Sequence, residues 1–215
     1  MKKEAKVNAL PLFPLNVVLF PGQSLPLHIF EPRYRVMIQQ CTENNEPFGI
    51  VLAYEPDIPV EIGTTARVTE VKQLPDGRMD IVTMGESRFR IHSIRQSEHG
   101  YLLGEVTLHP FSGEPEPSRT SSLTKVMRRY LQLLSAASGM RLRVDQMPTD
   151  PLELALFAAI ALRLPLDEKQ ALLDEETLGG LMQSEIEFLS VENHQTAIAM
   201  AAIVPPEDMH GFCRN

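Results

Sequence analysis

The sequence predicts an α+β fold: a small β-barrel over residues 1–112, a linker at 113–118, a helical bundle over 119–204 ending in one long helix, and a tail at 205–215. Three observations carry this reading. Short strand-like runs recur through the first half, each bounded by proline or glycine, which is the spacing of a small closed sheet rather than a parallel α/β layer. Beyond residue 118 the hydrophobic period changes from two to about 3.6. Between the halves lies FSGEPEPS (111–118), too polar and proline-rich to pack. Closure of the sheet is favoured because it removes exposed edges.

The first elements sit in residues 10–34, LPLFPLNVVLFPGQSLPLHIFEPRY, where Pro11, Pro14, Pro21 and Pro26 cut the apolar runs. Proline donates nothing to a ladder, so these runs belong at edges, bulges and corners. Pro21-Gly22 marks a tight turn, and Glu31-Pro32 starts a helix, with proline in the first turn and a carboxylate at the positive end. Residues 48–54 form a continuous apolar run, predicting a strand buried on both faces. Residues 64–74 alternate; Pro75-Asp76-Gly77 turns into 78–84; Gly85 permits a bulge or corner. A further strand at 88–94 sets Phe89, Ile91 and Ser93 against Arg88, Arg90 and His92. His99-Gly100 then turns into a last strand over 101–109.

In the helical half, Leu123, Val126, Met127, Tyr130, Leu131, Leu134 and Ala137 form one stripe. Thr149 or Asp150 caps the next helix, with Pro151 in its first turn and Glu153 placed for a capping box. Residues 152–164 are apolar almost all round, predicting the central buried helix. A break at 165–167 leads to a short helix ending near 173. The last helix starts at Glu175 or Thr177 and runs to about 204, although Gly179-Gly180 lowers its propensity by about 1 kcal/mol per glycine. At ~1.5 Å per residue it spans roughly 40 Å. Its alanine-rich distal end, 197–204, either protrudes to meet a partner, such as a second copy, or packs along the bundle.

Composition narrows the function classes. A net charge of −8 weighs against general phosphate-backbone binding, which draws on clustered basic residues. Arg88, Arg90 and Arg95 are the best local basic patch and Arg128-Arg129 the next. Cys41 and Cys213 are too few for a disulfide scaffold, and Cys41 reads as a small buried hydrophobe. Glu4, Pro11 and Pro14 break up any signal-peptide core, and no run approaches the roughly 18 apolar residues of a membrane span. The expected location is cytoplasmic, with no membrane contact.

Catalytic patterns are missing. The six histidines show no zinc spacing. No glycine precedes a lysine, so there is no phosphate-cradling G-x-x-x-x-G-K-[ST] loop. Ser121 and Lys125 stand four apart on a predicted helix, but Lys125 lies on its polar face, without the burial that activates a lysine. GESRF (85–89) lacks the second glycine of a nucleophile elbow. The expectation is a non-enzyme with no metal or cofactor.

Several segments together resemble the amino-terminal, substrate-binding domain family of the ATP-dependent protease Lon: LPLFPLNVVLFPGQSLPLHIFEPRYRVMI (10–38), FGIVL (48–52), GTTARV (63–68), PDGRMDIVTMGESRFRI (75–91), YLLGEV (101–106), and PLELA (151–155) with KQALLDEETL (169–178). The resemblance runs from about 10 to 189. It implies a PUA-like barrel followed by a helical bundle, in a standalone form without the ATPase and peptidase modules. It further implies a module that captures unfolded or degradation-marked polypeptides, as an adaptor for proteolysis alongside a protease. It transfers no agreed ligand residues.

Candidate contact residues therefore come from the corner itself. Glu31 and Arg33 can anchor a partner's charged groups and Tyr34 can supply amphipathic area. Alternatively, Arg33 pairs with Glu31 or loop carbonyls and simply holds the corner shut. Two other readings stand beside polypeptide capture. One is RNA binding, common among PUA-like barrels, through Arg88, Arg90 and Arg95. The other is a small-molecule pocket between barrel and bundle.

Overall fold

The computed structural model describes residues 6–55, 58–139 and 144–203; the predicted tail and Cys213 lie outside them. The chain order is β1 (Lys6–Leu15), β2 (Ser24–Ile29), α1 (Pro32–Glu43), β3 (Phe48–Glu55), β4 (Ile58–Pro59), β5 (Ile62–Gln73), β6 (Met79–Gln96), β7 (Leu102–Leu108), α2 (Pro117–Ser138), a 3-10 turn (Val144–Gln146), α3 (Pro151–Ala161), α4 (Leu166–Asp174) and α5 (Leu178–Ile203).

The strands close into a ring, β1-β7-β6-β5-β3, through the parallel β1–β3 pairing, while β2 adds to β6 and β4 to β3. β1 switches partners along its length. Its Lys6–Leu12 half pairs with β7, and its Leu12–Leu15 end pairs with β3. Each half therefore keeps one edge outside a ladder, which is how the strand accommodates Pro11 and Pro14. Pro26 lies in β2, whose one ladder among the described residues is to β6.

The two strands expected at 78–84 and 88–94 are one, the 18-residue β6. Gly85 marks a bulge rather than an end: Ala66 pairs with Gly85 and Thr64 with Arg88, so Glu86 and Ser87 oppose Thr65 alone. The Pro21-Gly22 turn docks here, with Gly22 N–H on the Gly85 carbonyl and Gly85 N–H on the Gln23 carbonyl, each 2.9 Å. A Cβ on Gly85 would stand 2.4 Å from the Phe20 carbonyl oxygen. The bulge also breaks the alternation expected in β5, where Thr64, Thr65 and Ala66 are all buried.

Leu12, Val51, Phe89 and Val106 belong to one buried cluster of the ring strands. α1 closes over a second cluster, placing Tyr34, Met37, Ile38 and Cys41 against Ile29, Phe48 and Ile81. Burial there pushes the Cys41 thiol up to about 11, with Glu46 adding to the rise, so it behaves as the small hydrophobe its sequence context suggests. The third cluster joins the halves: Val18, Phe20, Leu52 and Ile62 from the strand half pack with Leu123, Met127, Tyr130, Leu154, Leu181 and Leu189 from the helices.

The helices follow the predicted order with local differences. α2 starts at Pro117 with Glu116 as its cap, earlier than 119. Its stripe is buried at Leu123, Met127, Tyr130 and Leu131, while Ala137 is exposed. The α3 cap is Asp150, whose carboxylate accepts from the Leu152 and Glu153 amides at 3.0 Å each. α3 is less enclosed than expected, since Leu152 is exposed. Thr177 caps α5 through the Gly180 amide at 2.9 Å. Ser121 donates to the Pro117 carbonyl at 2.9 Å, and Lys125 is exposed.

The segment at 111–118 is pinned rather than loose. Phe111 packs on the helical core, and Ser112 forms a parallel bridge with Thr177. The Ser112 amide donates to the Glu176 carbonyl at 2.9 Å and the Leu178 amide to the Ser112 carbonyl at 3.0 Å.

Candidate functional site

The end of β2 alternates strictly. Leu25, Leu27 and Ile29 turn toward the core, which sends His28 and Phe30 outward. Glu31 then caps α1, its carbonyl accepting from Tyr34 and Arg35 at 3.1 and 3.0 Å, with Pro32 in the first turn. Beside this corner end β1 (Phe13, Leu15) and β3 (Ala53, Tyr54, Glu55). Together they form a groove of about 430 Å³.

Two rings dominate its mouth: Phe30 and Tyr54 are each 60% exposed, far beyond what large apolar side chains ordinarily show. Ile58, 64% exposed, pairs in register with Glu55 at the rim. The Tyr54 hydroxyl donates to Asp167 at the start of α4, and this hydrogen bond to a carboxylate is the leading cause that raises its pKa. The groove thus touches the helical half through one ring. Beneath it Phe13 and Tyr34 pack with centroids 4.1 Å apart and planes tilted by 32°, and the Arg33 guanidinium lies 4.6 Å from the Tyr34 centroid.

Of the corner residues expected to face a partner, Glu31 and Arg33 line the groove, but the Tyr34 ring is buried. It is floor rather than contact surface, because packing on Phe13 removes more apolar area from water than pointing outward would. Arg33 pairs with Glu31 at 3.1 Å and donates to the Gly100 carbonyl at 3.4 Å, contacts of the kind the second sequence reading described. His28 meets Asp80 at 2.7 Å and stacks on Phe30 with 6.3 Å between centroids.

Arg88 and Arg90 lie elsewhere. Arg88 is only 2% exposed. It donates to the carbonyls of His109 at 2.9 Å, Glu175 at 2.7 Å and Leu173. Burial lowers its pKa to about 10, while the carboxylates of Glu176 and Asp174 pull it back up. Arg90 pairs with Glu61 at 3.2 Å and Glu176 at 2.7 Å. The basic face that RNA binding would use, Arg88 with Arg90 and Arg95, is not assembled: the first of the three is a strut between β6 and the helices.

Sequence reasoning missed Phe30 and Tyr54. Phe30 was legible, since period two sets it with His28 on the outer face. Tyr54 was not, because the end of an apolar run looks the same whether the strand stays covered or emerges. Chemically the groove offers aromatic faces, a mildly acidic rim of Glu31 and Glu55, and the edge of β2 that pairs with nothing among the described residues. Aromatic faces beside a free strand edge are the chemistry of polypeptide contact. Among the described residues no helix is long and apolar enough to cross a membrane.

Comparison with known proteins gives a consistent family. The model of the ATP-dependent protease La (LON) substrate-binding domain matches residues 9–191. Lon protease 2 of Myxococcus xanthus is 27% identical over 202 residues, covering 88% of this chain and 24% of that protein. Protein cereblon of Danio rerio is 32% identical over 123 residues, 53% of this chain and 28% of its own length. A Lon N-terminal domain protein from Xanthomonas campestris superposes with a TM-score of 0.62 at 25% identity, covering 93% of this chain and all of that one. The N-terminal domain of Mycobacterium avium complex Lon protease, at 23% identity, shares the fold with a TM-score of 0.69 over 85% of this chain. The chain spans about a quarter of the length of the Lon proteases it matches. On the family match, this chain belongs to the Lon substrate-binding domain family.

Proposed function

We propose that this protein is a non-catalytic, cytoplasmic recognition module that holds unfolded or degradation-marked polypeptides at the corner groove and presents them to a protease. The observation that carries this is the pair of rings, Phe30 and Tyr54, left open beside the unpaired edge of β2. Family membership supports substrate recognition as the role. An unfolded client offers what a folded one hides, namely apolar side chains and a free backbone. Its side chains cover the rings, and its backbone adds a strand along β2. Covering the open part of Phe30 alone, on the order of 100 Å², contributes about 2.5 kcal/mol before ordering costs. Capture at one groove is therefore weak, and commitment comes from repeated contacts or from the protease.

Fluorescence anisotropy with a labelled, permanently unfolded casein-type chain tests this, with a native globular protein of similar size as control. The reading expects saturable binding of the unfolded chain and none of the native one. Equal or absent binding of both contradicts it.

A further inference from the structure

α4 and α5 present one face each to a second groove, of about 520 Å³, that shares no lining residue with the corner. On α4 and its C-cap the face repeats at 168, 171, 172 and 175; on α5 it repeats at 184, 187, 188, 191 and 192, both the i, i+3, i+4, i+7 spacing of one helical side. The floor is apolar: Leu164, Leu172, Phe188 and Val191, the last 55% exposed. The rim is acidic: Glu168, Glu175, Glu187 and Glu192. Glu175 accepts from Ser184 at 2.9 Å and Glu187 from Gln183 at 2.8 Å, both neutral donors. Among the described residues no lysine or arginine is ion-paired with any of the four. Arg163, exposed beyond α3, lowers the Tyr130 pKa where Glu192 raises it, so this cation stands near the Glu192 end of the rim and offsets part of its charge.

We infer that the α4–α5 groove is a docking surface for a basic amphipathic helix of a partner protein, distinct from the site that captures unfolded chains. Apolar side chains of the partner seat on Phe188 and Val191 while its flanking lysines or arginines meet the glutamate rim. Both walls are helices whose backbone groups bond within themselves, so an extended chain finds no ladder here, whereas a helix brings its own backbone already satisfied. Charge decides the occupant. A second copy docked symmetrically sets carboxylates against carboxylates, and an anionic lipid surface is repelled for the same reason. A basic helix gains attraction from every rim residue, and its association weakens with salt.

The test uses the full 215-residue chain and two fluorescein-labelled helical peptides about five turns long. Both carry leucine at i, i+3, i+4 and i+7; one has lysine at the flanking positions and the other glutamate. The lysine peptide is expected to bind at least about tenfold more tightly than the glutamate peptide and to weaken as salt is raised. V191K combined with E187K, both at exposed positions, should remove that binding while leaving the circular-dichroism melt and the capture of unfolded casein unchanged. Equal affinity for the two peptides overturns the proposal, as does unaltered binding by a folded V191K/E187K chain. Sedimentation showing a dimer that V191K dissociates also overturns it, in favour of a second copy. In the parent chain, absent casein capture alongside tight, salt-sensitive binding of the lysine peptide counts against the corner groove alone and supports this one.

Discussion

The Arg88 guanidinium carbon lies 3.4 Å from the centre of the Phe111 ring, joining the long strand β6 to the segment that leads into the helices. The same guanidinium bonds three carbonyls, two of them at the α4–α5 junction. A buried cation held this way is a joint, and removing it strands its acceptors. Arg88→Met should therefore cost about 3 kcal/mol in urea unfolding. Arg88→Lys should cost nearly as much, because an ammonium lacks the planar fork. Polypeptide binding measured well below the transition should survive both.

Glu185 of α5 is fully buried, and among the described residues neither carboxyl oxygen has a hydrogen-bond partner. Desolvation raises its pKa well above the usual carboxylate range, opposed in part by the Ala159 backbone. The folded state thus keeps a proton that the unfolded chain releases near its ordinary value of about 4.5. Stability from this group is fully present below that value and falls as pH rises toward the folded pKa, by about 1.4 kcal/mol per pH unit. Glu185→Gln should flatten that slope and be more stable than the parent at neutral pH by at least about 1 kcal/mol. Denaturant melts taken from below the ordinary value of about 4.5 up to neutral pH measure it; parallel curves for parent and variant contradict the assignment.

Gly85 has no room for a Cβ against the Phe20 carbonyl. Gly85→Ala should destabilise by about 2 kcal/mol through forced displacement of the turn. Gly100 sits at φ 85° with open space around it, so Gly100→Ala should cost about 1 kcal/mol by backbone strain alone. Thermal melts of the two variants separate crowding from strain.

How much of this was legible in the sequence follows from which signals are local. Proline and glycine punctuation gave the β2-to-α1 corner at Glu31-Pro32, the 3.6-residue period gave Leu123 to Leu131, and capping chemistry before Pro151 gave Thr149 or Asp150, of which Asp150 is the cap. What failed needed tertiary knowledge. Gly85 read equally as a bulge or a corner, and only pairing with β5 decides for the bulge. Arg88 alternated with Phe89 like a surface residue, yet the helices fold over its side of the strand. Tyr34 looked like a contact residue until Phe13 gave its ring a buried partner. The groove at the corner was half legible: Glu31 and Arg33 were singled out, while its two open rings were not.

Phe30 and Tyr54 define the proposed capture site, so Phe30→Ser with Tyr54→Ser should weaken unfolded-casein binding at least about tenfold with a melt close to the parent, since both rings are already solvent-facing. Arg88→Met, matched for folded fraction, should not. Anisotropy titrations make the comparison directly.

Amide hydrogen exchange of the chain, alone and saturated with unfolded casein, tests the capture mechanism most directly. The account predicts slowed exchange at residues 24–30 and 53–55, where a client strand adds to β2 and covers the two rings. Unchanged exchange there, or protection confined to α4 and α5, contradicts it.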